Sequence, residues 1–150
     1  MKKLGLAVFD TQPPHLYFGG VERRILETGK RLSGEFDVTV YSGRKAGFKK
    51  PVKVDGFRVV PCFSTDALFP VDNWFYNRTI ANAESAIKAD VYEGHNASGY
   101  AFLKNLRKHN PKAPFVQTVH GVLADEYFQT LLGGGLSLRE RLANLLMCWV

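Results

Sequence analysis

Three short stretches carry residue types that could do chemistry. Gly19-Gly20 stands directly before a helical pattern. The first amides of a helix have no intrahelical partner and carry partial positive charge, so an anion such as a phosphate can settle there. Glycines just before them allow close approach and a positive φ. His95 closes one apolar run and His120-Gly121 closes another. A histidine at such a place suits ligand contact and proton transfer near neutral pH. Each stretch has a plainer use. The glycine pair could be a tight turn, His95 could close a turn before Asn96 or Ser98 caps a helix, and His120 could be a turn residue.

Other chemistries fit less well. A dinucleotide fingerprint needs three glycines in G-x-G-x-x-G spacing, and a Walker loop needs G-K-[ST], whereas Gly20 is followed by Val21-Glu22. Ser98 lacks the flanking glycines of a nucleophile elbow, having Asn96 and Tyr100 there. His95 and His120 with Asp10 or Glu93 could be drawn as a metal site, but no close-spaced ligand pair supports it, and no metal is expected.

The elements that must position these residues follow from periodicity. Leu4 to Phe9 is a short apolar run, fit for a strand covered on both faces, and Asp10 ends it. Thr11 to Phe18 is a loop. Val21, Ile25, Leu26 and Leu32 form the apolar face of a helix, with Glu22, Arg23, Glu27, Lys30 and Arg31 opposite, and Ser33-Gly34 stops it. Asp37 to Ser42 is the second strand, Arg44 to Asp55 a basic loop, Phe57 to Pro61 the third strand, and Cys62 to Pro70 a loop. A helix is expected over Val71 to Ala89. A fourth strand runs from Asp90 to Gly94, a helix from Ser98 to Lys108, and a fifth strand from Phe115 to Val119. Leu123 to Leu132 reads as a short helix, Gly133 to Gly135 as a break, and Leu136 onward as a leucine-rich helix. Strands alternating with helices imply an α/β fold with a mostly parallel sheet. In the 3-2-1-4-5 order the first and fourth strands are neighbours at the ligand-binding edge, which would bring Gly19-Gly20, His95 and His120 to one rim.

The totals fit that reading. The chain has 150 residues, 45% hydrophobic and 23% charged, enough for one domain with a core. Its net charge of +6 favours anionic partners, including phosphorylated ligands and an anionic membrane surface. Most Phe and Tyr residues fall in strands and helices, so no stacking stripe for nucleic acid is expected. The two cysteines are far apart and indicate no disulfide framework, which fits a cytoplasmic setting. The apolar run after Lys2-Lys3 is too short for a signal peptide, and no run approaches membrane-spanning length. The apolar stripe Leu142, Leu145, Leu146 and Trp149 reaches the last residues with no stop signal, so residues 1–150 are expected to be the N-terminal part of something larger.

Gly19-Gly20-Val21-Glu22-Arg23, Lys30-Arg31-Leu32 and Asp37-Val38-Thr39-Val40-Tyr41, followed by Asp90-Val91 with His95 and by Thr118-Val119-His120-Gly121, resemble the opening of the retaining glycosyltransferases of family 4. That resemblance implies a Rossmann-like three-layer α/β/α sandwich, one half of the two-domain GT-B fold, with the acceptor on the N-terminal side. It implies hexosyl transfer in carbohydrate biosynthesis with no cofactor. The partners would be a nucleotide-sugar donor and a sugar or lipid-linked acceptor, with peripheral contact at the inner membrane face. Catalytic contact would fall to His95. Substrate binding would fall to Gly19, Gly20, Glu22, Thr118, His120, Gly121 and Asp125, with Glu126 beside it. The Arg/Lys pair and Glu-x7-Glu motif of the donor-binding C-terminal domain are not in this sequence, so the chain alone is expected to turn over little or not at all. One departure from the pattern is Glu93, where a histidine is common. A free-standing sugar- or phosphoryl-binding module is the other reading.

Overall fold

The computed structural model describes residues 2–64, 71–121, 137, 138, 141 and 142. The strands are β1 (Leu4–Asp10), β2 (Phe36–Gly43), β3 (Val52–Val54), β4 (Phe57–Cys62), β5 (Val91–His95) and β6 (Phe115–Thr118), and the helices are α1 (Gly20–Leu32), α2 (Val71–Asn82) and α3 (Tyr100–Leu106). The helix expected at Leu123 to Leu132, with Asp125 and Glu126, and the break at Gly133 to Gly135 lie outside the described residues; of the helix expected from Leu136 onward, Leu138, Arg141 and Leu142 are helical among the described residues.

The sheet order is β3-β4-β2-β1-β5-β6. β1 lies at its centre and pairs in parallel with both β2 and β5, with Phe9 opposite Tyr41 and Gly94. This is the expected order with one added edge strand. β3 pairs antiparallel with β4, Val54 opposite Phe57. The segment expected as a basic loop therefore folds in part as a hairpin. Asp55 and Gly56 turn it with φ of +43° and +97°, the geometry that Asp-Gly favours in two-residue hairpin turns.

Alternation along β1 sorts the core into two layers. Leu6 and Val8 face α1 and pack with Ile25, Val38, Val40, Phe57 and Val59. Ala7 and Phe9 face α2 and α3 and pack with Tyr76, Ile80, Tyr92, Phe102 and Leu106. Phe9 is fully buried, its ring centroid 4.6 Å from that of Phe102 and 5.8 Å from that of Tyr41. The Tyr76 hydroxyl donates to the Tyr41 carbonyl at 2.6 Å, which satisfies the one polar atom this ring brings into the core.

Two expected helices are shorter than their periodicity suggests. α2 ends at Asn82 instead of continuing to Ala89, and Glu84–Ala86 is a single 3-10 turn. Tertiary contacts win over helix propensity there. Glu84 Oε1 lies 3.0 Å from His109 Nε2, Ile87 turns into the core, and the Ala89 amide donates to the Tyr92 hydroxyl. α3 begins at Tyr100 instead of Ser98, because Gly99 at φ +88° must first reverse the chain. A side chain at Gly99 would also meet Phe9 at 3.0 Å.

The stacked position of Phe9 makes it the most sensitive core residue. Phe9→Ala is expected to lower stability by about 3–5 kcal/mol, read as a fall in the urea midpoint with little change in slope.

Candidate functional site

The carboxyl edge of the sheet carries a row of polar side chains. Ser42 stands opposite Asp10, and Thr118 stands opposite His95. Asp10 and His95 each follow the paired residues Phe9 and Gly94. All four continue the face that Val8 and Glu93 present toward α1. Ser42, Asp10, His95 and Thr118 thus run side by side across four parallel strands, beneath the start of α1. Gly94 is needed for this: a Cβ there would lie 2.3 Å from the Ser98 carbonyl, where the chain after β5 folds back over the edge.

The glycine pair and His95 share this rim. Val21 and Glu22, just after the pair, line one cleft with Asp10, Thr11, Gln12, Asn73, His95, Asn96 and Ser98, of about 170 Å³. Gly20 opens onto free space, whereas Gly19 lies under the Glu22 carboxylate, whose Oε2 would be 2.2 Å from a Cβ at that position. The glycines do not serve by positive φ, as expected from the sequence. Gly19 is extended at φ −73°, and neither glycine falls in the left-handed region. Their use is the missing side chain. Glu22 also departs from its expected place on the polar face: it is buried, folded back over the helix N-terminus where the macrodipole favours a carboxylate.

His95 and His120 meet directly. His95 Nδ1 lies 2.7 Å from His120 Nε2, and the rings stack with centroids 5.0 Å apart. On the other side, His95 Nε2 lies 3.4 Å from Glu93 Oε1. The Thr118 hydroxyl donates to that same oxygen at 2.9 Å. Asn96 holds His120 from below, its Oδ1 accepting the His120 amide at 3.0 Å. Asn96 adopts φ +51°, a conformation asparagine tolerates better than most residues.

The charge state follows from these contacts. Burial first, then His120 and Arg24, lower the pKa of His95 to about 4. The imidazole is neutral at pH 7. His95 is 2% exposed, with Glu93 beside Nε2 and His120 beside Nδ1. His120 is the exposed member of the pair. Glu93 stands where the sequence pattern expected a histidine.

Sequence reasoning missed the other polar groups of the cleft. The Thr11 hydroxyl donates to Asn73 Oδ1, which leaves its oxygen to accept from Ser98 at 3.1 Å. Lys45, expected on a solvated basic loop, is buried and paired with Asp72 of α2. Asp10 is 6% exposed, and among the described residues its Oδ2 has no hydrogen-bond partner. Burial, then Glu22, raise its pKa to about 8, with the Thr11 and Gln12 amides and Lys45 opposing. Asp10 is therefore mostly protonated at pH 7. The signal available in the sequence was a lone acid closing an apolar strand. Gly121 follows His120 at the end of the described stretch, and Thr118 is engaged with Glu93.

Two measurements check these charge states. In imidazole nitrogen NMR, His95 is expected to stay neutral down to about pH 4. A midpoint near 6.5 would contradict the arrangement. For Asp10, the folded pKa of about 8 lies above the ordinary 3.8, so the folded state binds the extra proton between those values. Its contribution to stability is present in acid and is lost as pH rises from about 4 to 8. Chemical denaturation across this range should show Asp10→Asn removing that decline.

Residues 18–150 match the family described as Glycosyltransferase Family 4. No curated protein matches the sequence. With the match covering most of the chain and a Rossmann-like sheet carrying its motif residues on one edge, this chain belongs to glycosyltransferase family 4.

Proposed function

We propose that this chain forms the acceptor-side half of a retaining glycosyltransferase that uses a nucleotide-sugar donor. The observation that carries the reading is the convergence of the first turn of α1 and of His95, which His120 meets, on one cleft of about 170 Å³. At about 30 Å³ per water, that volume suits a single sugar ring.

In such a transfer the bond from the anomeric carbon to the diphosphate breaks. A bond to the acceptor oxygen forms on the same face, and the acceptor's proton leaves with the diphosphate. The chain contributes positioning and electrostatics. The unobstructed amide of Gly20 can approach the diphosphate. His120, held by His95 and Asn96, offers Nδ1 to a sugar hydroxyl. The basic groups and carboxylates that handle the rest of the donor belong, by family resemblance, to a second domain, so residues 1–150 alone should bind ligand with little turnover. The acceptor is a sugar or a lipid-linked sugar. The basic surface would suit an anionic membrane carrying it, and no described helix is long and apolar enough to cross a membrane.

The test is a screen of the full-length protein against nucleotide-sugars by thermal shift, followed by product analysis at the anomeric carbon. Stabilisation by one donor and a product of unchanged anomeric configuration are expected. His120→Ala should lower kcat/KM about tenfold, the worth of one good hydrogen bond. Inversion, or binding of sugars with no transfer to any acceptor, would replace the reading by an inverting enzyme or a binding module.

A further inference from the structure

We propose that Asp10 is a ligand-binding residue of the cleft, its Oδ2 meeting a hydroxyl of the bound sugar. The proposal rests on the sugar-transfer reading and adds to it a residue and a chemical preference.

Asp10 sits on the cleft floor between Ser42 and His95 and is nine-tenths buried, yet its Oδ2 has no partner among the described residues. A buried polar atom left unpaired destabilises a fold, so this oxygen is a cost that the carboxyl's bonds to the Thr11 and Gln12 amides do not explain. The nearby Gln12 Oε1 is also unpartnered and lines the same cleft. The remaining polar lining is the Glu22 carboxylate, the His95 imidazole and the hydroxyls and amides of Thr11, Ser98, Asn73 and Asn96. That set complements a polyol.

The charges around Asp10 argue for a hydroxyl over an anion. Glu22 of α1 faces it and raises its proton affinity. Lys45 opposes this but is tied to Asp72. Tyr76 of α2 approaches with its hydroxyl held by Tyr41, and His95 of β5 is neutral at pH 7. A phosphate at this floor would meet the Glu22 carboxylate, and Lys45 is already tied to Asp72. A sugar hydroxyl would meet a neutral carboxyl that both donates and accepts.

The test compares Asp10→Asn and Asp10→Ala with wild type in the full-length protein. Asp10→Ala should lower kcat/KM about tenfold, as for one lost hydrogen bond, when assayed well below its own Tm. Asp10→Asn, which keeps a neutral donor of the same shape, should retain most of the wild-type value. The wild-type profile should fall above about pH 8, and that of Asp10→Asn should stay flat. A rise in donor KM assigns the hydroxyl to the transferred sugar, and a rise in acceptor KM assigns it to the acceptor. Wild-type kcat/KM in Asp10→Ala, or Asp10→Asn as impaired as Asp10→Ala, would overturn the proposal. Should no nucleotide-sugar support transfer, the function fails while Asp10 is still judged by amide NMR with glucose, galactose, mannose and pyrophosphate. Shifts at Asp10, Thr11 and Ser98 with a monosaccharide, lost in Asp10→Ala, support it; shifts with pyrophosphate alone, or none, overturn it.

Discussion

The parallel pairing of β1 with β5 is the constraint on which the site depends. It joins residues 6–9 to residues 91–94 and so brings two sequence-distant chain reversals to one edge. Because side chains alternate along a strand, a shift of one residue in this register would turn Asp10 and His95 away from α1. The register is held by the packing beneath it. Phe9 locks one face against Phe102 and Tyr92, and Val8 locks the other against Ile25 and Val40. A well-packed core thus fixes the rim above it to within a hydrogen bond's tolerance.

At that rim the structure departs from what stability alone would select. A carboxyl is buried without a full set of partners, an imidazole is kept neutral by burial, and a second carboxylate is folded over a helix start. The first two are costly for folding, the third is favoured by the helix dipole, and all three suit a pocket that holds a polar ligand. The Glu93–His95–His120 chain shows the division of labour. The inner imidazole lines the cleft between Glu93 and His120, and the outer one is exposed, its backbone amide held by Asn96.

Sheet order, the central place of β1 and the shared rim were all legible in the sequence, because apolar runs, glycine stops and crossover rules act locally and point to the same fold. What was not legible depends on contacts between distant segments. The early end of α2 follows from Glu84 and Ile87 meeting partners that no helical period encodes. Burial of Lys45 with Asp72 and of Glu22 over Gly19 turns two surface-type residues inward for the same reason. The β3–β4 hairpin differs: Val54-Asp55-Gly56-Phe57 is a local turn signal, and the surrounding lysines and prolines masked it. In the cleft, Thr11, Asn73 and Ser98 are common residue types that gain meaning only once three elements meet.

The chain belongs to glycosyltransferase family 4, and its polar edge lies where α1, β1, β5 and β6 converge. The most direct check of that convergence is a set of nuclear Overhauser contacts from the His95 ring protons. The account predicts contacts to Val21 or Glu22 of α1 and to the His120 ring, together with cross-strand contacts between Val8 and Glu93. Contacts from that ring to Leu4 or Asp90, at the opposite edge of the sheet, would contradict it.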